Sequence, residues 1–239
     1  MSPKPSIESV AAVERALAIL DAYVERDKSL TLAELARRTG LYKSTLLRLA
    51  ATLEKRGYLV RLEDKSWRLG PAASRLGAVY QAAFDLGDVV EPVLQSLANE
   101  SGETASFNVR DGDVRVCLCR VESTQRLRDH VRQGEVLPLA RGAGGKVLLA
   151  FSGEQGADYE RIRETGVYTA FGEREPGLGG IAAPVFGARG ALVGVIIISF
   201  PVSRLDRRAA ERLEPVVIAH AAQLTGRLGG GKLGFSRAA

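Results

Sequence analysis

The sequence predicts a two-domain α+β protein: an N-terminal unit of three helices closed by a β-hairpin, then a larger domain built on an antiparallel sheet. Three observations carry this. Up to Lys55, apolar residues recur at helical spacing in three successive stretches, each bounded by capping or stop residues. Beyond Gly102 the pattern changes to alternating and β-branched runs separated by Asp-Gly or Gly signals. The length, 239 residues, suits two domains of ordinary size better than one. The expected divisions are 1–70, a linker helix over 71–87, a second domain over 88–228 and a flexible tail over 229–239.

The first helix is expected from Ser9, a plausible N-cap, to about Glu25, with Val10, Val13, Leu17, Leu20 and Val24 on its apolar stripe. Thr31 caps a second helix through Arg38, Glu34 stands at the capping-box position, and Gly40 ends the helix. A third helix runs from Lys43 to Lys55 with Leu46, Leu49, Ala50 and Leu53 inward, and Gly57 stops it. Tyr58–Arg61 and Ser66–Leu69 are strand-like runs around the charged turn Glu63-Asp64-Lys65, so a hairpin follows the helices.

Pro71 breaks that pattern. Helices are expected over Ala72–Phe84 and Asp88–Glu100, then strands over Thr104–Arg110, Val114–Glu122 and Arg126–Gln133. Gly142-Ala143-Gly144-Gly145 leads into a short apolar helix, Lys146–Phe151; two strands, Gly180–Phe186 and Ala191–Phe200, precede a last helix, Leu205–Leu228.

Composition excludes several classes. At 46% hydrophobic and 26% charged the chain is globular. Two cysteines, Cys117 and Cys119, cannot frame a disulfide scaffold, and with His130 and His220 they exhaust the soft metal ligands, so neither a metal site nor a cofactor is expected. The N-terminal residues lack a signal-peptide core and no apolar run is long enough for a bilayer, so a cytoplasmic setting without membrane contact is expected. Gly142–Lys146 has neither the spacing of a phosphate loop nor the Ser or Thr that should follow, since Val147 stands there. No nucleophile-base-acid order or carboxylate pair stands out, so no catalytic residue is expected.

The net charge of +5 is concentrated. Between Thr31 and Arg68 lie nine basic residues against four acidic ones, which equals the whole excess. A basic surface of this kind suits DNA phosphates, whose neutralisation releases condensed counterions; a solvated basic face is the alternative. Two helices joined by a short turn at Gly40, followed by a hairpin, read as a winged helix-turn-helix, whose second helix enters the major groove by its N-terminal end. Ser44, Thr45 and Arg48 are placed to reach base edges or phosphates, and Tyr42 and Lys43 to hold the backbone. Arg37 and Arg38 at the end of the second helix, with Lys65 and Arg68 on the wing, are assigned to phosphate. A plain three-helix bundle, or a docking module that acts through protein contacts without DNA, remains open.

Glu14-Arg15-Ala16-Leu17-Ala18-Ile19-Leu20, Leu32–Ala36, Lys43-Ser44-Thr45 and Leu53–Tyr58 closely resemble the IclR family of bacterial transcription regulators. Gly102-Glu103-Thr104, Arg120–Ser123, Leu137–Leu139, Gly145-Lys146, Gly172–Gly177 and Ile181–Phe186 are similar to motifs of its effector domain. The resemblance covers nearly the whole chain, in order. It implies a dimeric or tetrameric repressor or activator, a near-palindromic operator in double-stranded DNA, and a GAF-like C-terminal domain that binds a metabolite.

The same resemblance places the effector pocket at Leu137, Ala143, Gly144, Ala170, Gly180, Ile197 and Ser199, with Leu127 and Asp129 on an adjacent strand. Members that bind small keto acids carry polar groups where this chain has Ala170, Gly180 and Ile197. A more apolar, roomier pocket is therefore expected, with N–H groups near Ala143 and Gly144 holding an anionic group at a helix start. An aromatic acid or an amino-acid-like metabolite fits that expectation, with Asp129 as a candidate partner for an amine; the alternative is that Asp129, His130 and Ser199 are ordinary strand residues. Between Phe151 and Gly166 the chain looks shorter than is usual in the family, as though one helix were missing.

Overall fold

The computed structural model describes residues 10–24, 26–82 and 86–231. It divides into two units, one ending at Tyr80 and the other starting at Gln81. The first contains α1 (Ala11–Asp21), α2 (Leu32–Thr39), α3 (Lys43–Lys55), β1 (Leu59–Arg61) and β2 (Trp67–Leu69), and α4 (Pro71–Ala82) begins in it. The Thr31 hydroxyl accepts a hydrogen bond from the Glu34 amide at 3.2 Å and starts α2; Gly40, at φ 70°, ends it in the left-handed conformation that glycine adopts without a Cβ clash. One core gathers Ile19, Leu30, Leu35, Leu46, Ala50, Leu53, Leu59 and Trp67.

Several expectations change here. Val10, Val13, Leu17 and Val24 are exposed, and Ile19 is the buried anchor of α1. The helix also ends at Asp21; the expected cap Ser9 and end Glu25 lie outside the described residues. The capping box is half made, because the Glu34 carboxylate turns to Arg37 and Arg38. Pro71 opens α4, where its missing N–H costs nothing.

The second unit is a six-stranded, wholly antiparallel sheet in the order β5-β4-β3-β8-β7-β6. Its strands are β3 (Thr104–Asp111), β4 (Val114–Val121), β5 (Val136–Pro138), β6 (Tyr168–Phe171), β7 (Leu178–Phe186) and β8 (Leu192–Pro201). A π-helical turn, Leu86–Val90, leads into α5 (Glu91–Ser101), which packs with the terminal α8 (Arg207–Arg227) against the sheet. Phe107, Ile181, Ile196, Ile198 and Phe200 point to that side. The alternating residues Ala182, Val195 and Ile197 instead meet α6 (Gly142–Phe151) and Ile162 of α7 (Ala157–Thr165).

The expected strand over 126–133 is absent. That segment is held by side chains: Arg120 donates to the Asp129 carbonyl, and the Asp129 carboxylate accepts from the Val131 amide at 3.3 Å. The chain rejoins the sheet edge only where Gly134 donates to the Cys117 carbonyl and β5 pairs with β4. A helix, α7, occupies the stretch that looked one helix short, and α6 starts at Gly142 rather than Lys146. Of the expected tail, Gly229 is pinned by a bridge to Gly187; residues 232–239 lie outside the described residues. Among the described residues no helix is long and apolar enough to cross a membrane.

Candidate functional site

Burial of Leu46, Ala50 and Leu53 fixes the rotation of α3 and leaves its other face in solvent. Tyr42, the N-cap, is 84% exposed; Lys43, Ser44 and Arg48 are exposed and Thr45 is half-buried. Five of the residues singled out in the sequence thus share one exposed helix end. Arg68 is exposed on β2 while its neighbour Trp67 is buried, as strand alternation requires. Lys65 sits at the tip of the hairpin with φ 66°, a conformation costly for a residue with a Cβ. Asp64 shapes that tip by accepting from both the amide and the hydroxyl of Ser66, at 2.9 and 2.6 Å.

Arg37 and Arg38 differ. The Arg37 side chain is 72% exposed and pairs with Glu34 at 2.6 Å. Arg38 turns inward, bonded to Asp27, to Glu34 at 2.8 Å and to the Ala22 carbonyl at 2.8 Å. Its donors hold α2 to the end of α1, so the phosphate contact expected of it is corrected to a structural role. Hydrogen bonds from Arg37 and Arg38 hold the Glu34 carboxyl down at about 2.

Trp67, which the sequence reading placed only as a strand residue, ties the wing to the helices. Its indole N–H donates to Glu54, its carbonyl accepts from the Tyr23 hydroxyl at 3.0 Å, and the Arg61 guanidinium lies 5.2 Å from its ring centroid. Burial, with Asp27 nearby, pushes the Tyr23 hydroxyl up to about 12.

In the second unit a cavity of about 40 Å³ opens between α6 and the sheet. Asp129, Leu137, Ala143, Gly144, Ala170, Gly180, Ile197 and Ser199 line it, as expected; Leu127 does not and is 61% exposed. Leu137, Ala143, Ala170 and Ile197 supply the apolar part of its wall. Polarity enters from other residues, Ser106 and Asn108 on β3, Arg115 on β4, and Glu173 and Arg174 after β6. Arg115 is 4% exposed, donates through one terminal nitrogen to Asn108, and leaves its buried Nε without a partner. Burial, then the nearby Arg174, pushes its guanidinium down to about 10, so it remains cationic at neutral pH. Asp129 is taken by Arg174 at 2.7 Å, so its carboxylate is not free for an amine. Glu173 accepts from the Tyr168 hydroxyl at 2.7 Å and pairs with Lys146 at 3.3 Å. Sequence reading missed Arg115 because an arginine on an alternating strand looks like a solvent-facing residue.

The cysteines offer no chemistry to this cavity. Burial pushes Cys117 up to about 12 and Cys119 up to about 11, away from thiolate. Among the described residues no group of three or more His, Cys, Asp or Glu is placed to hold a metal ion.

The sequence model of the IclR helix-turn-helix domain matches residues 12–63, from the second residue of α1 through α2, α3 and β1. That of the bacterial transcriptional regulator IclR C-terminal domain matches 78–159 and 156–225. The chain belongs to the IclR family. It is a DNA-binding transcriptional regulator with a C-terminal effector-binding domain, and the family is one of regulators rather than enzymes. Among curated relatives, the HTH-type transcriptional regulator BhcR of Paracoccus denitrificans is 28% identical, aligned over 90% of this chain and 86% of its own. The transcriptional repressor IclR of Escherichia coli is 26% identical over 95% and 93%. A solved IclR-type regulator from Silicibacter superposes with a TM-score of 0.80 at 25% identity, over 95% of this chain and 100% of that one. An IclR homologue from Microbacterium hydrocarbonoxydans, complexed with 4-hydroxybenzoate, shares the fold at a TM-score of 0.73 and 19% identity, over 91% and 99%.

Proposed function

We propose that this IclR regulator reads its operator through the exposed N-terminal end of α3. Ser44, Thr45 and Arg48 face base edges, while Tyr42, Lys43, Arg37, Lys65 and Arg68 meet the phosphate backbone. The observation that carries this is the rotation of α3: its apolar face is spent in the core, and its opposite face ends in exposed hydroxyl, aromatic and basic side chains. Arg38 supports the geometry from behind.

The regulator acts in the cytoplasm as a homodimer or homotetramer on a near-palindromic operator, since two-fold protein symmetry matches two half-sites. The exposed apolar residues Val10, Val13 and Leu17 of α1 and Leu76, Val79 and Tyr80 of α4 support self-association. The cavity beside α6 is the effector site, and occupancy changes operator affinity because the ligand binds one arrangement of the assembled winged units better than another. The complex of the Microbacterium relative with 4-hydroxybenzoate supports a metabolite as the signal.

A mobility-shift titration of wild type and Arg48→Ala, on operator and on random DNA, tests the interface. Loss of a base-reading arginine should cost about 1–3 kcal/mol of operator binding and much less on random DNA. Equal operator affinity would refute the assignment. A wild type that binds no DNA in a salt-dependent way would favour a winged unit used for protein docking.

A further inference from the structure

Among the described residues of α2 and α3, Leu47 is the only large apolar side chain left exposed, at 42%, while Leu46 before it is buried and Leu49 after it half-buried. A single exposed leucine is ordinary on most surfaces. Its place on α3 is not. Leu47 stands one turn beyond Lys43 and Ser44, beside Arg48, and one turn before Ala51, all of them exposed. A helical leucine projects back toward the N-terminus, over the turn before its own Cα, so the Leu47 methyl groups lie over the turn that carries Lys43 and Ser44. Glu54, seven residues on and so on the same stripe, accepts from the Trp67 indole N–H, and the wing thereby fixes the rotation of that stripe as the core fixes the opposite one.

The proposed interface sends this face into the major groove, where each base pair shows a distinct edge. A leucine there desolvates whatever it covers. The ring nitrogens, carbonyl oxygens and amino groups of the base edges all exchange hydrogen bonds with water, and Leu47 has no group to replace those bonds, so covering one of them costs free energy. The C5-methyl of thymine is the one apolar group on that edge, and its burial against a leucine is favourable. Ala51, apolar and exposed one turn on, continues the same strip. A leucine also loses less rotamer freedom on contact than the lysine and arginine beside it.

We propose that Leu47 is a specificity-determining residue of the operator contact, packing on the C5-methyl group of a thymine in each half-site. This rests on α3 reading DNA by its exposed end. It adds a base identity that the hydrogen-bonding side chains do not supply: Ser44, Thr45 and Arg48 select for donors and acceptors on the base edge, whereas Leu47 selects against every pair that lacks the methyl group. Burial of one methyl group sets the size of the effect, about fourfold in affinity for each half-site.

The test needs a preferred duplex, which selection from random DNA by the full chain supplies. Each thymine of that duplex is then replaced in turn by uracil, which keeps the base pair and removes only the methyl group. Mobility shift should show one thymine per half-site at which wild type loses about fourfold in affinity. Leu47→Ala should bind the unmodified duplex more weakly and treat thymine and uracil at that position alike, and Leu47→Met, close in size, should keep most of the discrimination. Trp67 fluorescence should give Leu47→Ala the wild-type unfolding midpoint, as an exposed position requires. A uracil series without effect on wild type, an effect that persists unchanged in Leu47→Ala, or a Leu47→Ala midpoint that falls as for a core residue would overturn the proposal; the second would assign the methyl group's influence to DNA shape. Arg48→Ala separates the two readings. If it weakens binding to the selected duplex while the uracil series is flat, α3 still reads DNA and only the role of Leu47 fails; if selection yields no preferred duplex, both fail.

Discussion

Replacing Lys65 by glycine should make the protein more stable and a weaker DNA binder at once. Lys65 holds φ 66° at the tip of the wing, where its amide donates to the Leu62 carbonyl at 3.0 Å. A residue with a Cβ in this region is strained by about 1–2 kcal/mol, whereas glycine is not; glycine's larger unfolded-state entropy returns about 0.5–1 kcal/mol of that. The net gain is about 0.5–1 kcal/mol. In a unit of this size that raises the melting temperature by a few degrees, at about 4–8 °C per kcal/mol. The assay is direct, because Trp67 is the only tryptophan and is buried in the core of the first unit, so its fluorescence reports that unit alone. On the proposed interface the same substitution should remove one phosphate contact per wing. The slope of log affinity against log salt should then flatten by about 0.9 for each wing bound, so wild type loses roughly threefold more affinity per wing between 50 and 200 mM salt. A lower melting temperature would refute the strain argument, and an unchanged salt slope would refute the wing's contact with phosphate.

Other outcomes follow from the same geometry. In Gly145→Ala the new Cβ would stand 1.9 Å from the Leu139 carbonyl oxygen, so α6 must shift, and the variant should lose about 1–3 kcal/mol in denaturant unfolding followed by circular dichroism. The Glu34 carboxyl is lowered from 4.5 to about 2 in the folded chain, so its stabilising contribution is complete above pH 4.5 and is lost as pH falls through 2. The wild type's Trp67 unfolding midpoint should therefore drop more between pH 6 and pH 3 than that of Glu34→Gln, and parallel curves would contradict this. Cys117 and Cys119, raised from 9.0 to about 12 and about 11, should stay unlabelled by iodoacetamide at pH 8 in the native chain and react after unfolding; rapid native labelling would show that the strand opens.

α2 and α3 were legible because their signals agree. Capping at Thr31, the glycine at 40, the 3.6-residue apolar period of α3 and the glycine at 57 all describe the same unit. Agreement failed where one signal was taken alone. The apolar stripe of α1 has helical spacing, yet spacing cannot say whether a stripe faces the chain's own core, and here Val10, Val13 and Leu17 do not. Arg126–Gln133 alternates like a strand, but its backbone is occupied by Arg120 and by Asp129's own side chain. β6 went unmarked because Tyr168–Phe171 is only four residues long, with no alternation to separate it from a loop.

The cavity beside α6 was half legible. Family resemblance located its α6 and β8 walls through Ala143, Gly144, Ile197 and Ser199, but its chemistry comes from Asn108, Arg115 and Arg174. Those residues converge only after β3, β4 and the segment that follows β6 have folded onto α6. Arg38 shows the converse: a basic residue at the end of a helix-turn-helix helix looks like a phosphate ligand until Asp27, eleven positions earlier, is seen to hold it. Charge counted along a sequence does not say which cations are already paired.

The central claim, that the exposed end of α3 and the wing bind specific DNA, is tested most directly by mobility shift. The full chain would be titrated onto the DNA upstream of its own gene and its neighbours, across a salt series and against competitor DNA. The account predicts a shift that survives competitor on at least one of these sequences and weakens steeply with salt. Binding that is absent, or equal on every sequence and indifferent to salt, would contradict it.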